Sequence, residues 1–305
     1  MRQVQSVVSE SLAAAGYRGA FLPYRDLTQI VQAYEDLVRL NPGIQSVQDA
    51  VTFFRSHQPP DIPFEPLSFL VVAYPASPAR IVLETESRRL AIPIPPTYLD
   101  DNPERQRLRE LLEQAAQGCK TAPCRGISQK LLAVLSGLGQ YGRNNICYVD
   151  GWGSYVNLKA FYTDIPCADK SYPVRFMDAC QACDLCRRSC PTGAIGAQTA
   201  IDANRCLTLH NESGQPLPDW IPSDVHHALI GCLRCQAGCP QNQPLPDKDI
   251  QTLELGASES RDLLAADATE LAPELALKLR AFGIPEFCIA QAARNARLVM
   301  GANRS

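Results

Sequence analysis

The stretch Cys180-Gln-Ala-Cys183-Asp-Leu-Cys186-Arg-Arg-Ser-Cys190-Pro191 carries four cysteines within eleven residues and ends in a proline. Its C-x2-C-x2-C-x3-C-P spacing is the one by which bacterial two-cluster ferredoxins bind 4Fe–4S clusters, with the fourth cysteine serving the other cluster. Two-residue gaps let neighbouring thiolates surround one cluster, and the proline turns the chain away without a competing donor. The run therefore predicts an iron–sulfur site that needs further cysteines from elsewhere.

A second set supplies them, consisting of Cys206 and of Cys232, Cys235 and Cys239, the last followed by Pro240. The two sets provide eight thiolates, which is the number that two 4Fe–4S clusters require. Structural zinc is the alternative, because paired C-x2-C motifs also suit tetrahedral zinc. A zinc site takes its four ligands from two separate pairs, whereas the first run offers four in one stretch. The sequence favours two iron–sulfur clusters and a role in electron transfer.

The composition is that of an ordinary globular chain. It has 305 residues, 46% hydrophobic and 20% charged, which predicts about two domains with ample core. No apolar stretch reaches the roughly 18 residues of a membrane span, and the N-terminus resembles an amphipathic helix more than a targeting peptide. A net charge of −3 gives no overall nucleic-acid-binding signature. Thiolate clusters fit a reducing compartment, so we expect a cytoplasmic protein without a membrane partner.

Three parts are expected along the chain. Residues 1–166 alternate helical and strand patterns, which predicts an α/β (α+β) domain. Residues 167–245 form a loop-rich ferredoxin-like double 4Fe–4S domain, supported by metal binding more than by a large core. From residue 246 to residue 305 the pattern is helical. The strand candidates are 19–22, 67–74, 80–84, 89–94, 145–149 and 155–162.

A glycine-rich stretch, Gly137-Leu-Gly139-Gln-Tyr141-Gly142-Arg143-Asn144-Asn145, lies between a predicted helix and a predicted strand. One interpretation is a loop whose backbone approaches a bulky cofactor, with Arg143 near an anionic group such as a phosphate. The other is a helix C-cap followed by a tight turn, which glycine also favours. The stretch does not fit the dinucleotide fingerprint, because its glycines precede a strand instead of opening a helix. From the residues alone both interpretations stay open.

Five segments together resemble the epoxyqueuosine reductase family in order and spacing, and Arg294-Asn295-Ala296 extends the resemblance towards the C-terminus. The segments are Gly137–Asn145, Phe161–Pro166, Cys180–Ile195, Arg205-Cys206 and Ile230–Asn242. The resemblance implies a cobalamin-reductase-like α/β domain that binds cobalamin. It also implies a dicluster ferredoxin domain beside it, as in reductive dehalogenases. It further implies electron relay through the clusters to a cobalamin, whose reduced cobalt removes the epoxide oxygen of a tRNA wobble nucleoside.

The resemblance also implies a role for individual residues. One cluster would be held by Cys180, Cys183, Cys186 and Cys239. The other would be held by Cys190, Cys206, Cys232 and Cys235. The cobalamin would be lined by Gly137, Gly139, Tyr141, Gly142, Arg143 and Asn144. A low-potential electron donor such as ferredoxin or flavodoxin would supply the electrons.

Two departures from the family pattern affect the expected chemistry. The family has an aspartate two residues before an Ala-Pro pair, whereas Lys120 occupies that position before Ala122-Pro123. We nominate Lys120 for proton delivery, which requires its pKa to be lowered by burial or charge. Longer family members carry C-terminal helical repeats that help to grip tRNA, and this sequence stops at Ser305. Together with the acidic balance, this weakens tRNA as the expected partner.

The main hypothesis is a cobalamin-dependent iron–sulfur reductase. The rival is a two-cluster electron-transfer protein that binds no corrinoid and performs no catalysis, and a third candidate is a reductase for another substrate class. Three histidines between the cluster cysteines either tune a cluster through hydrogen bonds or lie at the surface. These are His210, His226 and His227. Cys119 and Cys124 flank Lys120 and are either redox-active or packed as small hydrophobes.

Overall fold

The computed structural model describes residues 2–40, 61–86, 88–168, 171–197, 201–242, 250–266 and 271–302. In these parts of the chain, no helix combines the length and the apolar character that crossing a bilayer requires. The strands are β1 (Arg18–Pro23), β2 (Ser68–Pro75), β3 (Ala79–Glu84), β4 (Arg89–Ile94), β5 (Thr121–Pro123), β6 (Gln140–Tyr141), β7 (Cys147–Tyr148), β8 (Val156–Thr163) and β9 (Thr252–Leu255). The helices are Arg2–Ala14, Leu27–Leu40, Asn102–Ala115, Gln129–Leu135, Leu185–Arg188, Leu207–Glu212, Arg234–Ala237, Ala257–Ala265, Pro273–Ala281 and Glu286–Ala302.

The chain forms two compact units that are discontinuous in sequence. Unit 1 comprises residues 1–75, 102–187 and 195–204, and unit 2 comprises residues 76–101, 188–194 and 205–305. These limits differ from the domains 1–166, 167–245 and 246–305 that the sequence suggests. Unit 2 includes the hairpin of β3 and β4, because β3 pairs with β9. The first cysteine run contributes residues to both units.

Unit 1 is built on a four-stranded antiparallel sheet of order β1-β2-β8-β5. Its central strand β2 is buried from Ser68 to Tyr74, because both faces of the sheet are covered. Phe69 and Val71 face one apolar cluster, whereas Leu70 and Val72 face another, as the two-residue period of a strand requires. Full burial of each such side chain stabilises the fold by about 1.5–3 kcal/mol, so β2 contributes strongly to the stability of the unit.

Unit 2 has a smaller sheet of order β4-β3-β9, packed against the C-terminal helices. The predicted hairpin 80–84 and 89–94 is confirmed, with Ile81 opposite Ile92. The prediction that the chain is helical from residue 246 onward is wrong at β9, which pairs in parallel with β3. Four residues are too few for a clear alternating pattern, and the strand is fixed by its partner more than 170 residues earlier, at Val82 opposite Glu254.

The strand candidates 145–149 and 155–162 are joined by a glycine turn, as the sequence indicates. Gly151 and Gly153 both adopt positive φ angles, of 66° and 67°, which side chains other than glycine rarely tolerate. The two strands nevertheless pair with different partners, since β7 pairs with β6 and β8 pairs with β2. The small hairpin of β6 and β7 contains the glycine-rich stretch and therefore positions it.

Candidate metal centre

Three of the four cysteines expected to hold one cluster come together in unit 2. Cys190, Cys206 and Cys232 are half-buried, and they lie close enough for their charges to act on one another. Burial raises the pKa of the Cys206 thiol, and it raises the pKa of Cys232 to about 12, with smaller contributions from the neighbouring thiolates. Without a metal these thiols stay protonated at neutral pH, so cluster binding must displace protons. Cys235 lies in the same unit, on the short helix Arg234–Ala237.

The backbone around Cys190 already donates to its sulfur. The N–H of Ala194 donates to Cys190 Sγ at 3.3 Å, and the chain turns at Gly193 with a φ of 64°. Arg205 fixes this turn by donating from Nε to the carbonyl of Thr192 at 2.8 Å. Amide donors to cluster sulfurs are a principal means by which a protein sets the reduction potential of an iron–sulfur cluster. The turn is therefore shaped for a cluster ligand.

His227 is the histidine that the fold places beside a cluster cysteine. Its Nε2 accepts a hydrogen bond from the N–H of Leu233 at 3.2 Å and lies 3.9 Å from Cys232 Sγ. Burial lowers the pKa of His227 to about 4, so the ring is neutral at pH 7. The proton then resides on Nδ1, which lies 3.3 Å from the carbonyl oxygen of Val225. Of the two sequence alternatives, this geometry favours cluster tuning over a surface position for His227.

A single-ion site has no comparable support. Among the described residues, no three side chains of histidine, cysteine, aspartate or glutamate are arranged to hold one metal ion.

The first three cysteines of the run, Cys180, Cys183 and Cys186, belong to unit 1. Arg143, from the glycine-rich stretch, donates from Nε to the main-chain carbonyl of Cys183 at 3.0 Å. The same guanidinium donates to the carbonyls of Cys180 and Ala197. Cys239 belongs to unit 2, so the grouping of these four cysteines around one cluster stays a prediction.

The glycines of the stretch 137–145 are explained by contacts within the protein. Gly137 ends the helix Gln129–Leu135 with a φ of 82°, which confirms the C-cap interpretation. A Cβ atom added at Gly139 would lie 2.6 Å from Cys147 Sγ, and one at Gly142 would lie 2.6 Å from the Tyr148 ring. Both distances are shorter than real Cβ contacts, so the hairpin itself requires these glycines.

The side chains predicted to line cobalamin are likewise engaged by the protein. Tyr141 is buried, with its pKa raised by desolvation, and Asn144 is buried and donates from Nδ2 to the Tyr148 hydroxyl at 3.0 Å. Arg143 binds carbonyls instead of an anionic group. The role of this residue set in lining cobalamin stays a prediction.

Lys120, the residue nominated for proton delivery, is exposed and immediately precedes β5. Its main-chain N–H donates to the carboxylate of Asp164 at 2.7 Å. Asp164 follows β8, and the pairing of Thr121 with Thr163 brings the two segments together. A carboxylate thus lies next to the position at which the family pattern has an aspartate. Sequence reasoning missed Asp164, because only the pairing of β5 with β8 reveals its proximity.

The Arg294-Asn295-Ala296 motif braces the segments that carry the unit 2 cysteines. Arg294 donates to the carbonyls of His210 at 3.0 Å and Asn211 at 3.1 Å, both within the helix Leu207–Glu212 that Cys206 caps. Asn295 donates from Nδ2 to Asn211 at 2.9 Å and to Leu229 at 2.8 Å. The motif therefore has a structural role, because it joins the segment after Cys206 to the segment before Cys232.

Comparison with known families identifies the cysteine-rich segment. Residues 179–242 match the family model described as a 4Fe–4S double cluster binding domain. The matched range contains all eight cysteines that the spacing selects as ligands, from Cys180 to Cys239. The prediction of two 4Fe–4S clusters is thereby confirmed.

Sequence relatives point the same way. The chain is 32% identical over 117 residues to epoxyqueuosine reductase from Bacillus subtilis (strain 168), which covers 38% of this chain and 30% of that protein. It is also 32% identical over 147 residues to epoxyqueuosine reductase from Gloeobacter violaceus, covering 44% of each. In both cases the matched region spans less than half of the relative's own length.

Solved structures extend the similarity to the fold. The structure of epoxyqueuosine reductase from Bacillus subtilis matches with a TM-score of 0.66 at 20% identity, covering 98% of this chain and 81% of that one. An epoxyqueuosine reductase solved with an epoxyqueuosine-modified tRNA-Tyr stem loop matches with a TM-score of 0.63, at 20% identity and the same coverage. The chain therefore resembles the epoxyqueuosine reductases in the sequence of its cluster region and shares their α/β and 4Fe–4S fold.

Proposed function

We propose that this protein is an iron–sulfur oxidoreductase similar to the epoxyqueuosine reductases. It passes electrons through two 4Fe–4S clusters for the reductive removal of an oxygen or a similar group from its substrate. The observation that carries this proposal is the convergence of Cys190, Cys206 and Cys232 in unit 2, within a segment that matches a double-cluster family. An amide donor to a cysteine sulfur, from Ala194 to Cys190, is also the kind of contact that iron–sulfur proteins make to their clusters.

In unit 2 the residues around the cysteines have separable tasks. The thiolates of Cys190, Cys206, Cys232 and Cys235 would bind the iron. The Ala194 N–H, which donates to Cys190 Sγ, would stabilise added negative charge at that sulfur. His227 stays neutral and fixes the backbone at Leu233, next to Cys232.

Cobalamin is the cofactor that the resemblance implies, although the residues Gly137–Asn144 do not present their side chains for it. The substrate proposal is a tRNA nucleoside, since one solved neighbour was crystallised with an epoxyqueuosine-modified stem loop. A cytoplasmic low-potential donor, ferredoxin or flavodoxin, would supply the electrons. Proton delivery falls to Lys120 or to the neighbouring carboxyl group of Asp164.

The test begins with anaerobic reconstitution with iron, sulfide and cobalamin. We expect about eight iron atoms per chain and two one-electron reductions. Corrinoid absorption bands that co-elute with the protein would support the enzyme, whereas an iron–sulfur shoulder alone would support the non-catalytic electron-transfer protein. Single-turnover assays with epoxyqueuosine-containing tRNA then test the substrate. No product from fully loaded protein would exclude that substrate and leave the cluster proposal standing.

A further inference from the structure

Arg143 makes three hydrogen bonds that have one feature in common: they all end on main-chain carbonyls of the first cysteine run or of the segment just after it. Nε donates to Cys183 at 3.0 Å, one terminal nitrogen donates to Cys180, and the other donates to Ala197. The side chain is half-buried, and all four residues belong to unit 1. The planar guanidinium spreads five N–H donors over three nitrogens in a rigid fork, whereas a lysine presents its three donors from a single nitrogen.

The backbone reinforces this connection. The carbonyl of Arg175 accepts from the N–H of Tyr141 at 2.9 Å, and the carbonyl of Tyr141 accepts from the N–H of Met177 at 2.9 Å. The N–H of Cys180 in turn donates to the carbonyl of Met177 at 3.0 Å. The glycine-rich stretch and the start of the cysteine run are therefore joined as one hydrogen-bonded layer, in which Arg143 reaches furthest towards the cysteines.

We propose that Arg143 is a positioning residue for the cluster bound by Cys180, Cys183 and Cys186. It holds the carbonyls of two ligand residues, and it places a permanent positive charge beside the cluster. Reduction adds a negative charge to the cluster, so the guanidinium favours the reduced state and raises the reduction potential. This inference rests on the proposed function, because it requires the cluster to be bound. It replaces the interpretation of Arg143 as a ligand for a phosphate.

The layer also explains why the glycine-rich stretch accompanies the cysteine run. Gly139 and Gly142 permit the close approach of their own segment to Cys147 and Tyr148 of β7. That hairpin geometry fixes the backbone from which Arg143 extends.

The experiment compares Arg143→Gln and Arg143→Lys with a matched control, Arg18→Gln. Arg18 is also half-buried in unit 1, donates to the carbonyl of Asp150 and stacks over Trp152 at 4.0 Å, without contact with the cysteine run. Each protein is reconstituted anaerobically and titrated with dithionite while the electron paramagnetic resonance of the clusters is recorded. The rate of iron loss to a chelator is measured in parallel.

With Arg143→Gln we expect one of the two midpoints to fall, with the reduction equilibrium constant lowered at least tenfold, which equals 59 mV for one electron. Arg143→Lys keeps the charge and loses carbonyl contacts. We therefore expect its reduction equilibrium constant to stay within twofold of wild type, and its iron to be lost to the chelator several times faster. Arg18→Gln should match wild type in both measurements.

Unchanged midpoints in Arg143→Gln overturn the electrostatic role, and wild-type iron retention in Arg143→Lys overturns the positioning role. If Arg143→Gln does not fold, the Arg143→Lys measurements decide the proposal alone. Failure of the wild-type protein to bind two clusters would instead refute the proposed function, and the two failures are therefore distinguishable.

Discussion

The two units prepare their cysteines for iron in different ways. In unit 1 the first three cysteines of the run are held through their backbone, because Arg143 and the layer around Tyr141 bind main-chain groups. In unit 2 the cysteines are held through burial, because Cys206 and Cys232 lie among packed side chains that raise the pKa of their thiols. Backbone hydrogen bonds thus orient the first set, whereas desolvation keeps Cys206 and Cys232 protonated until a metal displaces the protons. The comparison predicts that a mutation in one unit will affect the iron content of one cluster and leave the other unchanged.

The largest effect is expected from removing one of the proposed ligands. Cys206→Ser should lower the iron content from about eight to about four atoms per chain, because the cluster proposed for unit 2 would lose a ligand while the unit 1 cysteines are untouched. Iron analysis after anaerobic reconstitution measures this. Cys288→Ser is the control, since Cys288 is also a cysteine of unit 2 but packs in the apolar core. Full iron in Cys206→Ser would contradict the assignment of unit 2 ligands.

Proton delivery can be assigned within unit 1 by comparing Asp164→Asn with Lys120→Met. A positioned general acid typically contributes 10²–10⁴-fold to the rate, so the residue that performs this role should lose about that much activity. We expect Asp164→Asn to have the larger effect, because its carboxyl group is held beside the position that the family pattern gives to an aspartate. Rates from single-turnover assays, with cluster content measured in parallel, check this. A larger loss in Lys120→Met would reverse the assignment.

The hairpin that supports the first cysteine run should be destabilised by a single added methyl group. Gly139→Ala places a Cβ 2.6 Å from Cys147 Sγ and 2.9 Å from the Tyr148 carbonyl oxygen, so we expect about 1–3 kcal/mol lower unfolding free energy. Gly301→Ala is the control, because its added Cβ meets no atom within 4 Å and alanine favours a helix. Urea denaturation of the apoprotein compares them. Equal stability of both variants would show that the hairpin tolerates the added atom.

Thiol reactivity distinguishes packed cysteines from accessible ones in unit 1. Burial raises the pKa of Cys124 and of Cys147 to about 12, so at pH 8 only about one molecule in ten thousand carries the thiolate. Neither should react with iodoacetamide in the folded protein, whereas the half-buried Cys119 should react measurably faster. Peptide mass spectrometry after timed alkylation gives the three rates. Rapid labelling of Cys147 would mean that the hairpin opens.

The smallest effect is expected for an ion pair on the surface of unit 2. The hydrogen bond from Lys278 lowers the pKa of the Glu259 carboxyl, and the two side chains are each about one-third exposed, at 37% and 35%. Lys278→Met should therefore cost about 0.5 kcal/mol at neutral pH. Because the folded-state pKa of Glu259 is depressed, the stabilisation is present above its unfolded pKa and is lost as the pH falls through the folded value. A difference that persists undiminished at low pH would point to packing instead.

Local patterns were sufficient for much of the fold. The helices Arg2–Ala14 and Asn102–Ala115 and the hairpin of β3 and β4 follow from periodicity within their own residues. Strand β9 was missed, because its four residues have no strong alternating pattern and its partner lies far away in the sequence. The same reason explains the discontinuous units, since long-range strand pairing is invisible to a local reading.

The amino-acid sequence by itself determined the cluster chemistry, because iron–sulfur ligation depends on thiols whose spacing is set over a few residues of backbone. The tertiary structure alone decided which groups surround those thiols. Arg143 reaches carbonyls 37 to 54 residues away, and Asp164 meets Lys120 across 44 residues. Such contacts follow from strand pairing and hairpin geometry, and any of several polar residues could have made them. Their identity therefore becomes fixed only when the chain is folded.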